Sequence, residues 1–222
     1  MKIFGLRLPI KQQKTRCKGI NNIINIDRDI LSDININGDN NIIKISKNSD
    51  IYSKAKININ ICGNNNTIII DEAGSVNINI DIGNYTGVNN VEINIGKNLY
   101  CVGADIFAYQ HNVPISIGEN CLLSKNITIR SGELPHSIYD MNTCKDFDHS
   151  EGILIGNHVW LGEHSYILKK AKISDDSVVG AMSVVTKEFN EKNVVIAGNP
   201  AKICKRNVMW NADWHFRPKE II

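Results

Sequence analysis

The chain has 222 residues, 42% of them hydrophobic and 22% charged, with a formal net charge of +2. That length suits one elongated domain or two compact ones, and so small a charge excludes the strong field that draws nucleic acid or a highly acidic partner. Six cysteines, at 17, 62, 101, 121, 144 and 204, stand singly without a C-x-x-C pair, so neither a metal cluster nor a disulfide framework is encoded, and no base stands ready to activate a thiol.

The opening "MKIFGLRLPI" is apolar but broken by Arg7 and Pro9. It predicts neither a signal peptide nor a membrane span, and hence a cytoplasmic protein. Residues 1–19 are basic, with Lys2, Arg7, Lys11, Lys14, Arg16 and Lys18. This segment reads as a solvated tail, with peripheral contact to anionic lipid as the less favoured reading. From 20 to 95, Asn and Ile alternate through "INIDRDILSDININGDNNIIKI", "ININICGNNNTIII" and "VNINIDIGNYTG". Alternation predicts strands with one buried face and one wet face. Gly38, Gly63, Gly83 and Gly96 are expected to supply the positive φ that turns one strand into the next.

From 96 to 200 a six-residue period takes over. Ile155, Leu161, Ile167, Ile173, Val179 and Val185 are all aliphatic, and Val159, Ser165, Ala171, Ser177 and Ser183 are small residues four places on. Against a hydrophobic frequency of 42%, six such positions in register would arise by chance roughly 0.5% of the time. A fixed short period means coils that bury their apolar face only against the next coil, so the fold class is an all-β solenoid. The same period runs through Ile95, Cys101 and Phe107, and through Ile117, Leu123 and Ile129. The step from Ile129 to Ile155 breaks it, so a loop near 130–154 must leave the coil, and solenoids place such insertions on their binding face. At the end, Trp210 and Trp214 stand at helical spacing, which predicts a helical cap over 201–222.

The run "IGNHVWLGEHSYILKKAKISDDSVVGAMSVV", followed by "AGNPAKICK", resembles the hexapeptide-repeat acyltransferases. Within them, "IRSGELPHSIYD" followed by "IGNHVWLG" is similar to the bacterial capsular, surface-polysaccharide and sialic-acid O-acetyltransferases. The match is strong from about residue 115 to 206, and only the pattern matches before it. The resemblance implies a left-handed parallel β-helix, a homotrimer, and acetyl-CoA bound as cosubstrate in a groove between subunits. The left hand departs from the usual crossover rule, and the period itself does not reveal it.

His136 is the candidate base. Acyl transfer from a thioester to a sugar hydroxyl needs a group that can take the hydroxyl proton at neutral pH, which suits histidine. His136 lies in the insertion between Pro135 and Ser137. On position alone it could equally be a solvated loop histidine; the resemblance assigns it the catalytic role and pairs it with Trp160 on the next regular coil. The Trp160 indole N–H would then serve the thioester end of the cofactor, with packing between subunits as the competing reading. Asp140 could orient the imidazole as a triad acid does, or cap a turn.

"AGNPAKICK" is similar to the family's cofactor-lining segment. Gly198, Asn199 and Pro200 would form a tight turn with backbone groups free for an amide-rich ligand. Lys202, with Lys169 and Lys187, would meet the phosphates as point charges, and Ala181 belongs to the same cofactor-binding set. A solenoid trimer also describes the γ-type carbonic anhydrases. His111, His149, His158 and His164 lack that spacing, and no metal site is expected. His158 and His164, six apart, are expected on edges of the coil.

The insertion carries Glu133, Asp140, Asp146, Asp148 and Glu151 against Lys145 alone, which favours a neutral or amino-sugar acceptor over a polyanion. A solvated acidic loop is the duller account. The resulting expectation is an acetyl-CoA-dependent O-acetyltransferase acting on a cell-surface glycan by direct transfer. Its competitors are N-acetylation of a nucleotide-linked amino sugar, serine acetylation, disfavoured because the long helical N-terminal domain of those enzymes is missing, and a non-catalytic solenoid for binding or assembly.

Overall fold

The structure, a computed structural model, describes residues 13–48, 54–84, 86–147 and 151–212. Within them the chain winds as a parallel β-solenoid with sheets of 13 and 8 strands. Each early coil contributes a strand to the larger sheet and then one to the smaller. The pairs are β1 (Gln13–Lys18) with β2 (Ile23–Ile26), β3 (Leu31–Asn37) with β4 (Ile42–Lys47), β5 (Ala55–Cys62) with β6 (Thr67–Ala73), β7 (Val76–Ile82) with β8 (Glu92–Ile95), and β9 (Tyr100–Ala108) with β10 (Ile115–Ile117). Thus the described solenoid already includes β1, inside the segment expected to be a tail. Arg16 on β1 bonds Asp33 and Asn35; Lys2, Arg7 and Lys11 lie outside the described residues.

The later coils are triangular. Their first face is β11 (Leu122–Leu123), β14 (Trp160–Leu161) and β17 (Val178–Val179); the second is β12 (Ile127–Arg130), β15 (Tyr166–Leu168) and β18 (Val184–Val185); the third is β13 (Ile153–Ile155), β16 (Lys172–Ile173) and β19 (Glu188–Phe189). We call the edge between first and second faces the first corner, that between second and third the second corner, and that leading into the next coil the third.

Isoleucine makes both halves one core. Parallel pairing stacks Ile34, Ile59, Ile80, Ile106, Ile129, Ile167 and Val185 in a single inward column, each at most 2% exposed. Burying such a side chain contributes roughly 1.5–3 kcal/mol. Beside it runs a ladder of asparagines. Asn41 donates its backbone N–H and side-chain amide to Asn22, Asn66 repeats this onto Asn41, and the Asn66 oxygen accepts the Val91 N–H. A buried amide is tolerated here because its groups find partners in neighbouring coils.

The register shows how the cross-section changes. The chain needs four steps from Leu123 to Ile127, three from Cys101 to Ala104, and two from Val76 to Ile78, yet these are successive rungs of the same columns. The first corner therefore projects in the C-terminal coils and is lost toward the N-terminus, where β3, β5 and β7 cross the position unbroken. At the projecting corners the positive φ falls largely on non-glycine residues: Asn98, Asn120, Asn126, His158, His164, Asp176 and Met182. Gly38, Gly63 and Gly83 have the expected positive φ, whereas at the Gly96 turn Asn98 supplies it. His158 and His164 are edge residues as expected, on the third and first corners respectively.

The insertion spans 131–152, since Arg130 still belongs to β12 and Ile153 opens β13. It is pinned by Ser131 N–H to Phe107 O and Leu134 N–H to Tyr109 O, and carries a small hairpin closed by Tyr139 and Asp146.

Over residues 201–212 the expected helical cap is corrected. β20 (Val194–Gly198) turns through Asn199 and Pro200 into β21 (Ala201–Arg206), which pairs with it antiparallel. The last β-edge of a solenoid exposes unpaired N–H and C=O groups, and a returning strand satisfies them where a helix would not. Residues 207–212 are not helical; they climb the third corner, Val208 N–H bonding Asn193 O and Trp210 Nε1 donating to His158 O at 2.9 Å. Trp214 and the rest of 213–222 lie outside the described residues. Among the described residues no helix is long and apolar enough to cross a membrane.

Candidate functional site

The structure sorts the candidate residues onto corners. His136 rides on the insertion at the second corner, where the backbone N–H bonds Glu133 O at 3.0 Å and the side chain is exposed. It opens on a cleft of about 240 Å³ shared with Tyr109, Gln110, His111 and Glu133. Tyr109 and Gln110 come from the second corner one coil earlier, so the insertion folds back on the coil below it. Among the described residues the imidazole makes no hydrogen bond or ion pair.

The cleft has a rigid wall. Arg130 stacks its guanidinium 4.7 Å from the Tyr109 ring centre and pairs with Glu133 at 3.3 Å. Tyr109 donates to Asp81 Oδ2 at 3.1 Å. Burial, reinforced by the Asp81 charge, pushes its phenol up to about 12, so it remains a donor at any working pH. The Gln110 Oε1 atom is buried without a hydrogen-bond partner among the described residues. Sequence reasoning missed Tyr109, Gln110 and Arg130. The available signal was positional: Arg130 and Glu133 stand i, i+3 where the repeat breaks.

Asp140 does not meet His136. Its Oδ1 accepts the Asn142 and Thr143 N–H groups and the Thr143 hydroxyl at 2.7–3.0 Å. These bonds, from Thr143 foremost, hold its carboxyl below the usual range. Through Oδ1 it caps the hairpin turn, the second of the two readings given to it above.

Trp160 lies on the first face, on the far side of the coil from the insertion. Its side chain is 38% exposed, and Nε1 donates to Ser124 Oγ at 3.1 Å, so the N–H expected for the thioester has a partner here and must exchange it to serve a ligand. Trp210 stacks on the His158 ring with centroids 4.1 Å apart and lies 6.0 Å from Trp160. His158 is held in turn by Asp176 at 2.9 Å. One chain therefore does not unite His136 with Trp160.

The cofactor candidates divide in the same way. Ala181 occupies the first corner beside Met182, and one coil on the same corner is made by Gly198, Asn199 and Pro200, where Gly198 N–H bonds Ser183 Oγ at 3.1 Å. Gly198 has φ 103°, open to glycine and strained for other residues. Lys202 follows on β21, opposite Ala197. Lys169 and Lys187 stand on the second corner in successive coils, and the Lys187 Nζ sits 5.5 Å from the Phe189 ring centre. The two groups thus border the second face, whose outward column is Thr128, Tyr166 and Val184.

No protein-family model matches the chain. Individual relatives do. Polysialic acid O-acetyltransferase of Neisseria meningitidis is 35% identical over 205 residues, covering 87% of each chain. Galactoside O-acetyltransferase of Escherichia coli is 34% identical over 113 residues, about half of each chain. The crystal structure of the polysialic acid O-acetyltransferase OatWY superposes with a TM-score of 0.74 at 32% identity, covering 90% of this chain and 92% of that one. That of the polySia-specific acetyltransferase NeuO, at 21% identity and a TM-score of 0.61, supports the fold alone. The solenoid is accordingly a left-handed β-helix, and the chain belongs to the hexapeptide-repeat O-acetyltransferases, enzymes that use acetyl-CoA as cosubstrate.

Proposed function

We propose that this protein moves an acetyl group from acetyl-CoA to a hydroxyl of a cell-surface glycan, in a site completed between two copies of the chain. The observation that carries the reading is the division of the candidate residues. His136 with Lys169 and Lys187 occupies the second corner, whereas Trp160, Ser124, Ala181 and the Gly198–Pro200 turn gather at or toward the first. A cyclic homotrimer sets the second corner of one copy against the first corner of the next, and the pantetheine arm lies in the groove between them.

In that groove His136 takes the proton of the acceptor hydroxyl as its oxygen attacks the thioester carbonyl carbon. The C–S bond breaks, and the sulfur leaves as thiolate, receiving the proton from the imidazolium. Transfer is direct, with no acyl-enzyme. A backbone N–H stabilises the oxyanion, a contribution worth roughly 2.7–4 kcal/mol in acyl transfer. Lys202, Lys169 and Lys187 meet the cofactor's phosphates. The enzyme acts in the cytoplasm, where its donor is available. Calorimetric titration with coenzyme A tests the class without any guess about the acceptor: saturable micromolar binding of about one molecule per chain is expected, and no binding at millimolar CoA would overturn the reading. Acetylation of polysialic acid and of neutral surface glycans then tests the acceptor.

A further inference from the structure

The outward face of the N-terminal coils is not a plain solvated surface. Where the first corner is lost, β3, β5, β7 and β9 present two parallel polar columns. One runs Asp33, Asn58, Asn79, Asp105; the other runs Asn35, Asn60, Asp81, Phe107. Rungs of parallel strands repeat every ~4.8 Å, comparable to one sugar residue of an extended glycan. The face is recessed, with a hollow of about 400 Å³ across β3 to β9 and another of about 520 Å³ continuing over β1 to β5.

The side chains in it are fixed in orientation. Asn58 Nδ2 donates to Asn79 Oδ1 at 2.8 Å, Asn79 Nδ2 donates to Asp105 Oδ1 at 2.7 Å, and Asn60 Nδ2 donates to Asp81 Oδ1 at 3.3 Å. Each amide uses one N–H along the ladder, leaving the other and the oxygen's remaining capacity for a ligand. Phe107 supplies an apolar ring at the end nearest the insertion, suited to the C–H face of a sugar. Fixed amides, carboxylates and one aromatic surface match a hydroxyl-rich chain.

The trough leads to the candidate base. Asp81 in the trough bonds Tyr109, and Tyr109 lines the His136 cleft. The Phe107 and Tyr109 rings lie 5.6 Å apart, with Arg130 over both. Charge then narrows the ligand. Near the cleft stand Asp81, Asp105 and Glu133, and Arg130 is committed to Glu133. At the far end Arg16 is shared with Asp33 and Asn35, and Lys18 lies beyond. The approach to His136 is anionic, which disfavours a chain with a carboxylate on every residue.

Resting on the O-acetyltransferase reading, we infer that the trough over β3, β5, β7 and β9 holds the acceptor as an uncharged, hydroxyl-rich glycan chain and feeds it to His136. A matched pair of polymers tests this: polysialic acid, and the same polymer with its carboxylates reduced to alcohols, both titrated at low salt. The reduced polymer should bind at least about tenfold more tightly. Removing ladder amides in Asn58→Val with Asn60→Val should weaken that binding about tenfold or more while CoA binding stays intact. Valine keeps the strand preference at both sites; if the double variant fails to fold, Asn79→Val carries the same expectation. Equal or tighter binding of native polysialic acid, variants that bind as the wild type does, or burial of this face between copies would each overturn the inference. Loss of CoA binding by the wild type would instead overturn the acetyltransferase reading, and is read in a separate titration.

Discussion

His136 and Asp140 stand four residues apart in the insertion, and their surroundings predict opposite outcomes on substitution. His136→Ala should lower kcat by about 10²–10⁴, roughly 3–5 kcal/mol of transition-state stabilisation, with CoA affinity kept. Steady-state kinetics beside a CoA titration check both halves, and a loss below tenfold would remove it as the base. Asp140→Asn should leave kcat within a few-fold, because the amide oxygen can accept the same bonds from Asn142 and Thr143. A triad acid would lose orders of magnitude there. The exposure of His136 was legible in the sequence, because a break in a regular repeat carries its residues out of the coil. Asp140's turn contacts were not legible, since capping and orienting both ask for an acid near a turn; the Asn142 and Thr143 bonds show the capping, and the Asp140→Asn kinetics test the orienting.

At the scale of elements, the asparagine ladder and the corner ion pairs make separable predictions. Asn66→Ala strands the Val88 carbonyl and the Val91 N–H inside the coil, while the Asn41 oxygen keeps the Asn66 backbone N–H, and should cost about 3 kcal/mol, seen as a lower denaturation midpoint. Asp175 accepts from Lys192 at 2.7 Å and from the Asn157 N–H at 2.9 Å. These bonds, Lys192 foremost, hold its carboxyl below the usual range. A depressed carboxyl stabilises the fold above its unfolded pKa and loses that contribution as pH falls through the folded value. Asp175→Asn should therefore lower the melting temperature at pH 7 and converge with wild type in strong acid; an equal deficit at pH 7 and at pH 2 would contradict this.

The elements were unequally legible for a physical reason. A six-residue period must hold at every turn of a narrow coil, so the pairings of Trp160 with Val178 and of Tyr166 with Val184 follow from counting. In the N-terminal half, alternation marked the strands, but coil lengths vary: Gln13 pairs with Ser32, Leu31 with Lys56, and Ala55 with Val76. Local sequence does not carry that register; the isoleucine column and the asparagine ladder set it across coils. Over residues 201–212 the C-terminal cap was misread because helical spacing of Trp210 and Trp214 is a local cue. The exposed edge of β20 outweighs it by recruiting β21, and the His158 ring then takes Trp210.

For the whole molecule, the central claim is that the catalytic groups lie on different corners of one chain and meet only between chains. Trp160→Ala should impair turnover while leaving the fold intact, since its ring is partly exposed and its N–H bonds only Ser124. Corner identity was hidden from the sequence: His136 and Trp160 are near in number, and only the coil path reveals that a whole face separates them. The direct measurement is subunit complementation. His136→Ala and Trp160→Ala proteins, each nearly inactive, are unfolded, mixed in equal amounts and refolded together. If each site draws its histidine and its tryptophan from different copies of a symmetric ring, random assembly should restore on the order of a quarter of wild-type activity. Activity no greater than the average of the two parent variants, in a mixture shown to contain hetero-oligomers, would contradict the account.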